Sequence, residues 1–188
     1  NFVYTPNKLI VNDVTQLNPI NVSQVVTPLS IEEITQHIKE SQGPISIGGG
    51  RYCQGGQTAY LNSLHFDMRS FNKVINLDVE NKEITVQTGI TWRDIQQYID
   101  QHHLSIKIMQ TYANFTVGGS LSVNVHGRYV DEGPLVHSVK QIKLILANGE
   151  TTLASPEENS DLFYAAIGGY GGIGVIAEAT LALTNNTK

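Results

Sequence analysis

Short hydrophobic runs, each closed by glycine, proline, asparagine or a charged cluster, follow one another along the chain. Val22–Pro28 is rich in β-branched residues and ends at a proline, which predicts a strand. Ser30 then precedes Ile31-Glu32-Glu33-Ile34, a serine followed three residues on by glutamate, the capping-box arrangement that satisfies free amides at a helix start. The helix runs out at Gln42-Gly43-Pro44. Ile45-Ser46-Ile47 predicts a short buried strand that feeds directly into Gly48-Gly49-Gly50. The chain is thus expected to open as strand, helix, strand, with the second strand delivering a glycine loop.

The same pattern predicts strands at Leu64–Asp67, Lys73–Leu77 and Glu83–Thr88, parted by turn residues such as Glu80-Asn81-Lys82. A helix follows Thr91, with Trp92, Ile95, Tyr98 and Ile99 on one face, and ends near His102-His103. Thr116-Val117-Gly118-Gly119 opens a further short helix. Val139–Leu146 reads as a strand that turns at Ala147-Asn148-Gly149-Glu150, where Asn-Gly favours a hairpin, and returns at Thr151–Ala154. Asp161–Ile167 predicts a helix broken by Gly168–Gly174, and Val175–Leu183 a closing strand. The expected class is α+β, in two compact halves divided near Met109–Tyr112: residues 1–109 and residues 110–188.

Composition narrows the function. The 188 residues are 40% hydrophobic and 15% charged, enough to bury a core within one domain. A formal charge of -5 with only 12 scattered Lys and Arg argues against a nucleic-acid surface, so any anion must be held locally. One cysteine, Cys53, excludes an internal disulfide framework, and six histidines without paired cysteines give no zinc spacing. No apolar run approaches the roughly 20 residues that cross a bilayer. The N-terminus has neither a basic start nor a signal-peptide core, which points to the cytoplasm.

Three glycine-bearing segments carry the candidate chemistry. Gly169-Tyr170-Gly171-Gly172-Ile173-Gly174 spells G-x-G-x-x-G, yet that nucleotide fingerprint needs a strand before it and a helix after, and here the order is reversed. A nicotinamide-linked Rossmann enzyme is disfavoured on that ground. In Ser46-Ile47-Gly48-Gly49-Gly50-Arg51-Tyr52-Cys53-Gln54-Gly55-Gly56-Gln57, glycines allow positive φ and close backbone approach, so amides can converge on phosphate; a flexible loop is the plainer alternative. Gly118 and Gly119 are expected to present bare amides at a helix start. They are followed by Asn124-Val125-His126-Gly127-Arg128, where His126 alone would read as an ordinary histidine.

In this order the segments resemble the FAD-binding domain of the vanillyl-alcohol oxidase family, the p-cresol methylhydroxylase (PCMH) type, over about Val22 to Leu183. The likeness is nearest to the branch of decaprenylphosphoryl-ribose oxidase and of sugar-alcohol and aldonolactone oxidases. It rests on G-R-Y in the first loop and on V-G-G followed by H-G-R. The resemblance implies FAD between two α/β subdomains. Ser46 to Gly56 would wrap the pyrophosphate and ribityl chain, and Thr116, Val117, Gly118 and Gly119 would continue that cradle. His126, Gly127 and Arg128 would run along the flavin, with His126 the candidate catalytic residue, while Gly174 and Ile176 would reach the adenine end.

The departures from the family pattern matter as much. Many relatives place a histidine that bonds covalently to the flavin where this chain has Arg51, and Gln110–Phe115 lacks the cysteine that makes a second bond elsewhere. Non-covalent FAD is therefore expected, with Cys53 a packed thiol and no metal. The family adds a substrate domain that covers the flavin, and this chain stops at Thr184–Lys188, where that domain would start. The reading is the FAD module of an oxidoreductase acting on the CH–OH group of a small-molecule sugar, polyol or related alcohol. A flavin-binding or interaction module without turnover stays open beside it.

Overall fold

A computed structural model describes residues 9–186 of the chain. The outer ends of the two expected halves, and the reading of the first residues as free of a leader, lie outside the described residues. Strands β1 (Ile10–Val11) and β2 (Ile20–Asn21) form a small antiparallel hairpin. Strand β3 (Gln24–Val26), helix α1 (Ile31–Glu40), β4 (Ile45–Gly48) and β5 (Leu64–Asp67) then build a parallel sheet in the order β3-β5-β4. Helix α1 starts as its sequence requires. Ser30 accepts from the Glu33 amide at 3.1 Å, and the Glu33 carboxylate accepts from the Leu29 amide at 2.8 Å, one residue earlier than in the standard reciprocal pair. The central strand β5 is buried along its whole length, His65 and Asp67 included.

The rest of the chain is β6 (Val74–Asp78), β7 (Glu83–Gln87), α2 (Trp92–Asp100), β8 (Leu104–Ile106), α3 (Val117–Ser122), β9 (Val139–Ile145), β10 (Thr151–Ala154), α4 (Ser160–Ala166) and β11 (Val175–Asn185). Its strands form one antiparallel sheet in the order β10-β9-β11-β7-β6, with β8 on the far end of β11. One core packs this sheet against α2, α3 and α4 through residues such as Trp92, Leu121 and Phe163. A second core packs α1 and the parallel sheet, through Ile34 and Phe66, against Ile145, Val175 and Ala177 at one end of β9 and β11. The two subdomains are thus joined by apolar contact as well as by chain. No helix among the described residues is long and apolar enough to cross a membrane.

Two expectations differ from what is seen. The sheet changes between Asp67 and Val74, not at 109/110, because β7 pairs with β11 and draws β6, β7, α2 and β8 into the second unit. That pairing joins residues far apart in sequence, so local periodicity carries no trace of it. On α2, Trp92, Ile95 and Ile99 are buried but Tyr98 is exposed, its phenol left at the rim of the apolar face.

Candidate functional site

The end of β4 carries the glycine loop into a buried polar floor. The Ser46 hydroxyl lies 2.7 Å from the Ser63 hydroxyl and 2.8 Å from His65 Nδ1. Burial, joined by the charges of Arg51 and Arg69 and opposed by Asp67, pushes the His65 imidazole down to about 4, so it is neutral at pH 7. Asp67 accepts from Arg69 at 2.8 Å and 2.6 Å and from Arg51 Nη2 at 3.2 Å. Burial works to raise the Asp67 carboxyl, but the Arg69 hydrogen bonds and the two guanidinium charges outweigh it and hold it below its ordinary value. Among the described residues two buried polar side-chain atoms take no protein partner, Arg51 Nε and His65 Nε2.

Above this floor lies a cavity of about 760 Å³ between the subdomains, within the size range of small-molecule sites. Residues 45–53 and 57–60 line one wall; Thr88, Gln110, the segment 115–125 and the turn 170–176 supply lining from the other subdomain. Arg51 is the one lining side chain charged at neutral pH, and no carboxylate of the described residues lines the cavity, although the chain as a whole is acidic. The amides of Gly50, Arg51 and Tyr52 donate to no protein acceptor among the described residues. Tyr52 and Phe115 meet edge to face with ring centres 5.0 Å apart, and Tyr112 packs outside both. Cys53 also lines the cavity; burial, against opposing hydrogen bonds from backbone amides, raises its thiol and leaves it protonated at neutral pH.

The glycines of the second segment act otherwise than expected. The Val117 amide donates to Ile90 O at 2.9 Å, the Gly118 amide to Thr88 O at 2.8 Å, and the Gly119 amide to the Thr116 cap at 3.2 Å. No bare amides remain there for an anion. Positive φ in the first loop falls on Arg51 and Gly56, not on Gly48 to Gly50. Gly49 is instead a close-packing residue: a Cβ would collide with the Thr116 hydroxyl.

Of the residues singled out in the sequence, Ser46 to Cys53, Thr116, Gly118, Gly119, Gly174 and Ile176 meet at this cavity. Gln54, Gly55 and Gly56 are not in its lining, and Val117 is buried in the core. His126, Gly127 and Arg128 also stand outside the lining: the His126 imidazole is exposed and paired to Gly127 O at 3.1 Å, and the Arg128 amide binds Met109 O. The G-x-G-x-x-G turn is preceded by α4 and followed by β11, the reverse of the dinucleotide fingerprint, yet Gly171, Gly172 and Gly174 reach the cavity. Lining residues that sequence reasoning missed include Thr88, Gln110, Phe115 and Tyr170. Phe115, adjacent to the T-V-G-G segment, and Tyr170, inside the G-x-G-x-x-G turn, carried a local signal; Thr88 and Gln110 carried none.

A family sequence profile described as "FAD binding domain" matches residues 22–155. L-gulonolactone oxidase of Bos taurus is 27% identical over 157 residues, 82% of this chain and 36% of the relative. Cytokinin dehydrogenase 4 of Oryza sativa is 40% identical over 173 residues, 89% of this chain and 32% of the relative. Decaprenylphosphoryl-beta-D-ribose oxidase of Mycolicibacterium smegmatis is 28% identical over 157 residues, 82% and 34% respectively. The chain thus spans about a third of the length of these relatives.

Proposed function

This chain belongs to the family of PCMH-type FAD-binding domains, and from that premise we propose that it holds FAD in the cavity between its subdomains as the cofactor-binding part of an oxidoreductase. The single observation that carries the reading is an acidic chain in which no carboxylate of the described residues lines the cavity between the subdomains, while that cavity offers uncommitted amides at Gly50, Arg51 and Tyr52. A pyrophosphate is doubly negative, and such amides beside a guanidinium suit it. Arg51 Nε, buried without a protein acceptor, fits the same group. The flavin ring would supply acceptance of a hydride equivalent from a carbon bearing a hydroxyl, and the chain would orient it and exclude water.

Two of the three relatives above carry names that point to sugar-derived substrates, which supports a sugar, polyol or related alcohol as the class acted on by the whole protein. The test is a titration of flavin-free protein with FAD, followed by flavin fluorescence. Saturable one-to-one binding is expected, weakened about tenfold or more in Arg51→Ala, as for losing a charged hydrogen-bond donor. Failure of the wild type to bind FAD overturns the reading. His126 enters only through the family likeness, as a group beside the reacting ring. His126→Ala in the whole protein should then keep its flavin and slow flavin reduction by substrate about tenfold. Unchanged reduction at full flavin content would remove His126 from the chemistry.

A further inference from the structure

We infer that residues 12–18 form a strap that sets the conformation of the glycine loop, with Asp13 as its positioning residue. The ligand in this inference rests on the FAD reading above; the geometry does not. Asp13 is 1% exposed, and its carboxylate takes four hydrogen bonds. Oδ1 accepts from the Thr15 amide at 3.0 Å and the Thr15 hydroxyl at 2.6 Å. Oδ2 accepts from Asn18 Nδ2 at 2.8 Å and, across the chain, from the Gly56 amide at 3.0 Å. The Thr15 hydroxyl, helped by Gly56 and Asn18 and opposed by burial, holds the carboxyl below its ordinary value, so it is ionised at neutral pH.

Two more contacts run the same way. The Val14 amide donates to Arg51 O at 2.8 Å, and Asn18 Nδ2 reaches Gln54 O at 3.3 Å. The strap therefore grips the loop at positions 51, 54 and 56, while Arg51, Tyr52 and Cys53 line the cavity. Both positive-φ residues of the loop, Arg51 at 61° and Gly56 at 74°, lie at these grips. A non-glycine residue with positive φ persists only where its surroundings hold it, and the pinned Arg51 carbonyl is part of that restraint. The strap also precedes the region matched by the family profile, which begins at residue 22.

Uncommitted amides bind an anion tightly only when they are held together. A loop that samples other conformations lowers apparent affinity by the fraction of time it is competent. The strap raises that fraction without touching the ligand.

The test is Asp13→Asn, nearly isosteric, in which one acceptor oxygen becomes a donor facing donors. Two quantities are read: hydrogen exchange of the Val14, Gly55 and Gly56 amides, which are hydrogen-bonded at the strap and in the loop, in flavin-free protein, and the FAD dissociation constant. Exchange at Val14, Gly55 and Gly56 should quicken, with α1 and the β9–β11 ladder unchanged, and FAD should bind about tenfold more weakly. Asn18→Ala, which removes the Gln54 contact and one partner of Asp13, should move both readouts the same way by less. It serves if the first variant unfolds. Unchanged loop exchange in the variants overturns the inference, as does faster exchange with unaltered FAD affinity. If wild-type protein binds no FAD while Asp13→Asn still frees the loop, the strap stands and the cofactor reading falls.

Discussion

His65 and Asp67 stand two residues apart on the fully buried strand β5, and their neighbours set them in opposite charge states. Asp67 is kept ionised by Arg69 and Arg51. His65, whose Nδ1 meets only the Ser46 hydroxyl, is kept neutral. A histidine with a depressed folded value takes up its proton only in the unfolded chain as pH falls, so its contribution is complete above 6.5 and is lost between 6.5 and about 4. That gap is worth about 3 kcal/mol. His65→Asn keeps a group that can meet Ser46 but no titrating ring. Unfolding free energies from urea titrations between pH 7 and pH 4 should therefore fall less steeply in the variant, by roughly that amount across the range. Parallel slopes would mean that His65 protonates readily in the folded protein. Asp67 runs in the same direction but lower: its stabilisation is present above the ordinary carboxylate value and is lost as pH falls through its depressed one. At this scale the sequence exposed Arg51, through its place after the glycines, but hid its partner, because an Asp in a short apolar run reads locally as a strand end.

Two threonine caps fasten the elements around the cavity. Thr91 caps α2, Thr116 caps α3, and the two residues pair as an isolated bridge. The Thr116 hydroxyl accepts from the Gly119 amide and fills the space where a side chain on Gly49 would begin. Gly49 is therefore constrained by the cap of another element. The sequence marked both residues for a cofactor cradle but gave no sign of their contact with each other, since glycine clusters look alike whether the backbone approaches a ligand or a neighbouring helix. A double-mutant cycle separates the two. Gly49→Ala should cost about 1–3 kcal/mol by overpacking, and Thr116→Ala about 1 kcal/mol through the lost cap. In the Thr116→Ala background the added methyl should cost at least about 1 kcal/mol less. Additive losses in urea unfolding of the four proteins would show that the contact with Thr116 is not what excludes a side chain at Gly49.

Across the whole molecule, the elements with strong local patterns were legible: α1 from its cap, β4 from its glycine exit, β9–β10 from the Asn-Gly turn, and the reversed order around Gly169–Gly174. What joined them was not. The pairing of β11 with both β7 and β9, the two-residue strands β1 and β2, and the strap on Asp13 depend on contacts that no short window contains. The way the whole assembly holds its cofactor is nonetheless testable from one position. The family resemblance implies that Arg51 takes the position of the histidine that bonds to flavin in many relatives. Its guanidinium has no free nucleophilic nitrogen at neutral pH, and its Nη2 is committed to Asp67. Cys53, the one thiol in the chain, also lines the cavity, but burial raises it and keeps the thiolate scarce. Neither side chain is set up to attack the ring, so FAD should be retained by the cavity alone. Acid precipitation of flavin-loaded protein should then release the yellow chromophore into the supernatant and leave a polypeptide of unmodified mass. Flavin that stays with the pellet, with the mass of the adduct on a cavity peptide, would overturn non-covalent binding and identify the residue that forms the bond.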